Sequence, residues 1–181
     1  MKVLLISMPD IAPVIIHEAA IHMPNLGIAN IAGNIDEHHE VFTVDLIRKR
    51  NHVRKYLTRT LKKIKPKLVG LSAMTWQYDT CIKIMKLIKT LLPDTKIAIG
   101  GYHATLMFEE IANSPESELI DFMVRGEGEE TCRRLVNALS GEDRVEDIPS
   151  LSYKQDRKFI HNPKGELLEL ARLKLPVRDL I

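Results

Sequence analysis

Two glycine turns, each directly after a hydrophobic run, carry the residues best placed to do chemistry. One reads Ile97-Ala98-Ile99-Gly100-Gly101-Tyr102-His103, the other Val124-Arg125-Gly126-Glu127-Gly128-Glu129-Glu130. Glycine lets a chain turn tightly and lets another molecule approach the backbone. His103 adds an imidazole, and Ser72 and Thr75 in Gly70-Leu71-Ser72-Ala73-Met74-Thr75 add hydroxyls that can bond a polar ligand edge. Each has a plainer reading, with Ser72 or Thr75 capping the next helix and His103 as an ordinary surface or capping residue. The second turn begins like the dinucleotide fingerprint G-x-G-x-x-G, but Thr131 stands where the last glycine belongs. Glu127, Glu129 and Glu130 suit the start of a helix yet would repel a pyrophosphate. NAD and FAD are therefore poor ligands for this turn.

Other chemical motifs fail on spacing. His17-Glu18-Ala19-Ala20-Ile21-His22 misses the zinc pattern H-E-x-x-H by one residue. On a helix its two rings would stand about 140° apart, too far to share a metal. Neither G-x-S-x-G nor a P-loop occurs. Cys81 and Cys132 are far apart, each in a helical pattern, and read as reduced thiols.

The elements that must position these residues alternate. Val3 to Ser7, Glu40 to Leu46, Lys67 to Ser72, Lys96 to Ile99 and Leu119 to Val124 read as strands. Helical spacing fills the intervals: Pro24 to about His38, Val53 to Ile64, Gln77 to Leu92, Thr105 to Ala112 and Glu127 to Ser140. Met8 to Met23 reads as a long loop after the first strand. Near-continuous apolar strands alternating with helices predict a doubly wound α/β fold with a parallel five-stranded sheet in the flavodoxin-like, Rossmann-like order 2-1-3-4-5. Its ligand loops lie at the strand C-termini, where both glycine turns fall. Beyond Gly141, Ile148 to Tyr153 and Lys158 to His161 predict a hairpin around Gln155-Asp156-Arg157, followed by a tail to Ile181. Residues 1–145 form the expected binding domain, and 146–181 the hairpin and linker.

The 181 residues suit one domain, and a 45% apolar, 28% charged composition suits a globular chain. No apolar run approaches the roughly 20 residues that span a bilayer, and Met1 to Ile6 is too short for a signal peptide. A cytoplasmic protein without membrane contact is expected. Net charge is only +2 but unevenly spread. Leu46 to Lys96 holds 14 Lys or Arg against 2 Asp or Glu, whereas Thr105 to Asp147 holds 4 against 12. The basic stretch lacks interleaved aromatics, so a solvated helix face is expected rather than nucleic-acid binding.

Taken in order, the Gly70 to Thr75, Ile99 to Thr105 and Val124 to Glu129 segments resemble the N-terminal cobalamin (B12)-binding domain of B12-dependent radical SAM proteins. Pro24-Asn25-Leu26-Gly27-Ile28-Ala29 looks like that family's first helix, and Leu175-Pro176-Val177-Arg178-Asp179 like the segment before its radical SAM barrel. The resemblance implies a corrin on the strand rim with its nucleotide tail threaded into the sheet. Carried over by position, Ser72 and Thr75 would meet the base region of the tail. Gly100, Gly101 and His103 would line its channel, and Gly126, Glu127 and Gly128 would contact its ribose-phosphate or the corrin amides.

The chain departs from the family pattern in two places. The cobalt-ligating D-x-H-x-x-G of B12 mutases has no counterpart in Ser7-Met8-Pro9-Asp10-Ile11-Ala12-Pro13; Asp36-Glu37-His38-His39-Glu40 matches D-x-H but lacks the glycine and lies at a helix end. The resemblance thus implies base-off cobalamin without a protein histidine on cobalt. The C-x-x-x-C-x-x-C of the radical half is also missing. S-adenosylmethionine and a [4Fe–4S] cluster are then expected only in a radical SAM domain C-terminal to this chain. This module would by itself be non-catalytic, serving an enzyme that transfers methyl groups. The alternative is a stand-alone flavodoxin- or receiver-like binding or interaction domain. A receiver wants an Asp after the third strand, and a flavodoxin wants a hydroxyl-rich first loop; neither is present.

Overall fold

The computed structural model describes residues 1–10 and 25–177. The zinc-motif near miss and most of the Met8 to Met23 loop lie outside them, as do Pro24 and the last four residues. Among the described residues seven strands form one sheet in the order β2-β1-β3-β4-β5-β6-β7. They are β1 (Lys2–Ser7), β2 (Glu40–Asp45), β3 (Leu68–Ser72), β4 (Lys96–Gly100), β5 (Phe122–Val124), β6 (Leu151–Gln155) and β7 (Lys158–His161). The first five pair in parallel in the expected order, and the last two pair antiparallel. The expected hairpin exists, but it adds to the β5 edge and widens the sheet from five strands to seven. Its turn, Asp156-Arg157, holds both residues at positive φ (48° and 65°), as tight two-residue hairpin turns require.

Among the described residues six α-helices cover the sheet: α1 (Leu26–Asn34), α2 (Val53–Ile64), α3 (Tyr78–Leu91), α4 (Tyr102–Leu106), α5 (Phe108–Asn113) and α6 (Gly128–Ala138). Strand side chains alternate between faces, so one sheet makes two cores. Leu4, Ile6, Val69, Leu71, Ile97, Ile99 and Met123 face one side with Leu57, Leu61, Met85 and Ile88 of α2 and α3. Val3, Leu5, Ala98 and Val124 face the other with Ile28 and Ala32 of α1 and Leu135 and Val136 of α6. Leu57 and Leu61 are fully buried, so the basic helix α2 spends its apolar face on this core. Truncating either leucine to Ala would cost about 2–5 kcal/mol.

The segments depart from their sequence reading at three places. The first helix ends at Asn34 rather than near His38, because Ile35 turns extended (ψ 143°). The Thr105 to Ala112 helix begins earlier and is two short helices, broken at Met107 (φ −114°, ψ 23°). Strand five begins at Phe122, since Pro115–Leu119 forms a 3₁₀ turn; proline fits a first helical turn and favours that outcome. Among the described residues no helix is long and apolar enough to cross a membrane.

The C-terminal segment straps back across α1. Asn34 clamps Lys174 from both sides: its Oδ1 accepts from the Lys174 N–H (2.9 Å) and its Nδ2 donates to the Lys174 carbonyl (3.3 Å). The Val177 N–H donates to the Ala29 carbonyl at 3.2 Å. Gly33 makes this approach possible, since a Cβ there would collide with the Leu175 carbonyl.

Candidate cofactor site

On the α1/α6 side, the strand C-termini carry small side chains in register. Leu5, Gly70 and Ala98 stand abreast, and one step nearer the rim Ser7, Ser72 and Gly100 do the same. Bulky residues here would close the space between sheet and helices. Instead a cleft of about 260 Å³ remains. Gly70, Ser72, Ala98 and Gly100 floor it; Gly27, Ile28 and Ile31 of α1 form one wall, and Gly126 to Glu129 with Cys132 the other. A Cβ at Gly70 would lie 2.7 Å from Leu5 Cδ2, and one at Gly128 would lie 3.1 Å from Ile31 Cδ1. A Cβ at Gly100 would meet only Val124, at 3.7 Å, so Gly100 opens space toward the cleft rather than relieving a clash.

Three anchors fix the walls. Asp45, at the end of β2, accepts from Ser7 Oγ (2.8 Å), the Asn25 N–H (3.2 Å) and the Ile47 N–H (3.1 Å). Asn25 in turn caps α1 by accepting from the Ile28 N–H at 3.1 Å. Helix α1 is thereby pinned above the sheet rim. Thr105 joins the two glycine turns, its Oγ donating to the Gly101 carbonyl and accepting from the Gly126 N–H, both at 2.9 Å. Gly101 itself sits at φ 88°, and a Cβ would lie 2.8 Å from the Ala73 carbonyl; only glycine adopts this turn without strain.

The carboxylates of the second turn are largely committed. Glu130 receives Arg133 at 2.6 and 3.1 Å, and Glu127 accepts the Leu168 N–H of the strap at 2.7 Å. The Cys132 thiol is pushed up to about 12 by burial and the nearby Glu129 carboxylate, so at neutral pH it is a thiol, not a thiolate ligand. The result is a narrow, mostly apolar cleft with backbone at close reach. That suits a long, predominantly neutral ligand segment.

Six of the eight residues singled out from the sequence line this cleft: Ser72, Gly100, Gly101, Gly126, Glu127 and Gly128. Thr75 stands exposed in a 3₁₀ turn on the neighbouring rim loop. His103 is buried in α4, its ring 4.1 Å from that of Tyr78, which packs on the opposite core. The burial of His103 lowers its pKa and favours neutral imidazole. Gly70 and Ala98 escaped the sequence reading, although a glycine inside a strand is a signal of close approach. Thr105 and Asp45 carried no such signal; the partners that make them anchors, Gly126 for one and Ser7 and Asn25 for the other, are 20 or more residues away. The same rim exposes large apolar groups, among them Trp76 (43%), Tyr102 (57%) and Leu106 (54%), suited to a flat apolar face.

Comparison with known proteins gives the fold and the family. The chain is 30% identical over its whole length to an uncharacterized methyltransferase of Pyrococcus horikoshii, spanning 39% of that protein. It is 26% identical over 58% of its length to the cobalamin-dependent radical SAM methyltransferase TokK of Streptomyces tokunonensis, spanning 15% of it. The fold matches that of the radical S-adenosylmethionine methyltransferase TsrM from Kitasatospora setae with cobalamin and a [4Fe–4S] cluster bound. The TM-score there is 0.68 at 22% identity, covering 99% of this chain and 31% of that one. The chain thus spans well under half the length of these relatives. A family model, the B12 binding domain, matches residues 12–136. With that match over most of its length, the chain belongs to the B12-binding domain family.

Proposed function

We propose that this chain holds a corrinoid with its nucleotide tail drawn into the cleft between sheet, α1 and α6, and that it does so for a larger methyl-transferring radical SAM protein. The observation that carries the reading is the run of Gly70, Ser72, Ala98 and Gly100 flooring that cleft. Bound cobalamin supplies a cobalt centre able to carry a methyl group. The residues of this chain bind and orient it. Gly100, Gly101, Gly126 and Gly128 bring backbone to the tail, and Ser72 offers it a hydroxyl. Thr105 keeps the two turns at a fixed spacing. Glu127 ties the channel wall to the strap, and Thr75 stands ready for the amide-bearing edge of the macrocycle. Trp76 and Tyr102 cover the apolar face. His103, turned to Tyr78 across the sheet, is a prop for the α4 loop.

The relatives are longer, and the radical SAM domain with its S-adenosylmethionine and cluster belongs to this proposal, as does methyl transfer. In that arrangement residues 1–145 form the binding domain, the hairpin completes its sheet edge, and residues 162–177 form the strap leading toward the catalytic domain. Titration of the purified chain with hydroxocobalamin tests the binding. A spectral shift with retention through gel filtration at micromolar concentration is expected; free passage of the cofactor would sink the reading. Electron paramagnetic resonance of the reduced cobalt(II) form should show no nitrogen coupling from an axial histidine.

A further inference from the structure

Across the molecule from the cleft, where β1 and β2 begin, lies a second donor cluster. Asn34 ends α1, and the connection to β2 presents His38 and His39 side by side, ring centroids 3.9 Å apart. Beyond the far end of α6, Glu142 reaches the same point: its Oε1 lies 3.1 Å from His38 Nε2. One ring nitrogen from each histidine and a carboxylate oxygen of Glu142 lie within 4.8 Å of one another. Donor atoms sharing one metal at about 2.0–2.2 Å stand roughly 3–3.5 Å apart, so His38 and Glu142 already occupy one edge of a coordination shell. His38 and Glu142 are exposed and can turn toward His39, which is buried and would exchange one of its two ring-nitrogen bonds for the metal.

We infer that His38, His39 and Glu142 form a divalent metal site, with Zn²⁺ as the favoured ion and water in the open position. Two imidazoles and a carboxylate are a donor set that Zn²⁺ accepts, and first-row neighbours such as Ni²⁺ and Cu²⁺ share the preference. His39 brings the outer-sphere support that metal-bound histidines usually have. Its Nε2 bonds Asn137 Oδ1 at 3.0 Å, and its Nδ1 lies 3.0 Å from the Met1 amine. Asn137 is itself held, donating to Asp36 Oδ2 at 2.8 Å. Whichever nitrogen of His39 turns to the metal, the other keeps a partner that fixes the ring. The site would staple the α1–β2 connection to the end of α6. It is structural in kind and separate from the corrinoid site, so it stands or falls independently of the cofactor reading.

The test uses the tag-free, corrinoid-free chain and Zn²⁺ alone, competed against a chromophoric chelator, with Co²⁺ absorbance as a second readout. The expected result is one equivalent bound at micromolar affinity or tighter, with a Zn²⁺-dependent rise in Tm. His38→Gln and Glu142→Gln should each weaken binding at least tenfold and abolish that rise. Both side chains are about half exposed, so the variants should fold, which circular dichroism checks. Absence of stoichiometric binding by the unaltered chain, or undiminished binding by both variants, overturns the inference.

Discussion

The Thr105 hydroxyl accepts the Gly126 N–H while donating to the Gly101 carbonyl, each at 2.9 Å. Gly101 and Gly126 close different strands, so one side chain sets the spacing of two loops that the backbone leaves independent. A turn with an unpaired N–H would be free to shift; this one is held at the width of the cleft. Thr105→Val keeps the shape and removes both bonds. With a typical hydrogen bond contributing about 0.5–1.5 kcal/mol, a loss of roughly 1–3 kcal/mol is expected in denaturant unfolding. Corrinoid affinity should fall with it, and Thr105→Ser should restore most of both. Failure of Ser to rescue would mean the methyl packing, not the bridge, matters.

Gly100 offers the cleanest block of the cleft. Its backbone is not left-handed and a Cβ there meets only Val124, at 3.7 Å. Gly100→Val should therefore fold with little change in Tm while losing at least tenfold in hydroxocobalamin affinity. Gly101→Ala should do the reverse. Its φ of 88° and the 2.8 Å approach to the Ala73 carbonyl place the cost in the backbone, about 1–3 kcal/mol of stability. Equal affinity for Gly100→Val and the unaltered chain would show that the tail does not enter here.

Asp121 links β4 to β5 from below the cleft. Burial by itself would raise its pKa, but hydrogen bonds from Lys96, the Ile97 N–H and Lys89 outweigh that and hold the carboxyl below its usual range. The lengths are 2.9, 2.9 and 3.0 Å. A lowered folded pKa stabilises above the unfolded value of about 3.9 and is lost as pH falls through the folded one. Acid unfolding curves should therefore steepen below about pH 4. Asp121→Asn should flatten that limb and cost about 1–3 kcal/mol at pH 7, since bonds to a charged group are lost.

His103 titrates in the same sense at milder pH. Its folded pKa lies below the ordinary value of 6.5 because of burial, opposed by Glu110. The neutral ring is favoured by folding, so stability is complete above about pH 6.5 and declines as pH falls from there. His161 is lowered too, by burial and then by Arg125, and adds to the slope. His103→Phe retains the tilted ring contact with Tyr78 and removes a buried Nδ1 that has no partner among the described residues. It should reduce the loss of Tm between pH 6.5 and 5 and leave hydroxocobalamin binding unchanged; a tenfold loss of binding would return His103 to the channel.

The strap depends on Asn34. Its two bonds to the Lys174 backbone are together on the order of 1–3 kcal/mol. Asn34→Ala should raise the rate of tryptic cleavage after Arg172 and Lys174 about tenfold, read by mass spectrometry at early times. An unchanged rate would show that the other contacts, the Ala29–Val177 and Glu127–Leu168 bonds and the Lys174–Glu37 pair, hold the strap without it.

The succession of strands and helices, the parallel order of the first five strands and the rim position of both glycine turns came from the sequence. These rest on local periodicity, which survives in any arrangement that buries the apolar runs. Six cleft residues were legible for the same reason, because the strand-to-helix turn is itself a local pattern. Only the tertiary structure decided that the hairpin extends the sheet edge, since antiparallel addition to β5 depends on which edge is left open. Only it set Gly70 beside Leu5 and Ala98, joined the two turns through Thr105 and sent His103 to the opposite core. Strand pairing and side-chain direction are made by contacts between residues far apart in the chain, and no local spacing records them. The juxtaposition of His38 and His39 with Glu142, about a hundred residues on, is of that kind.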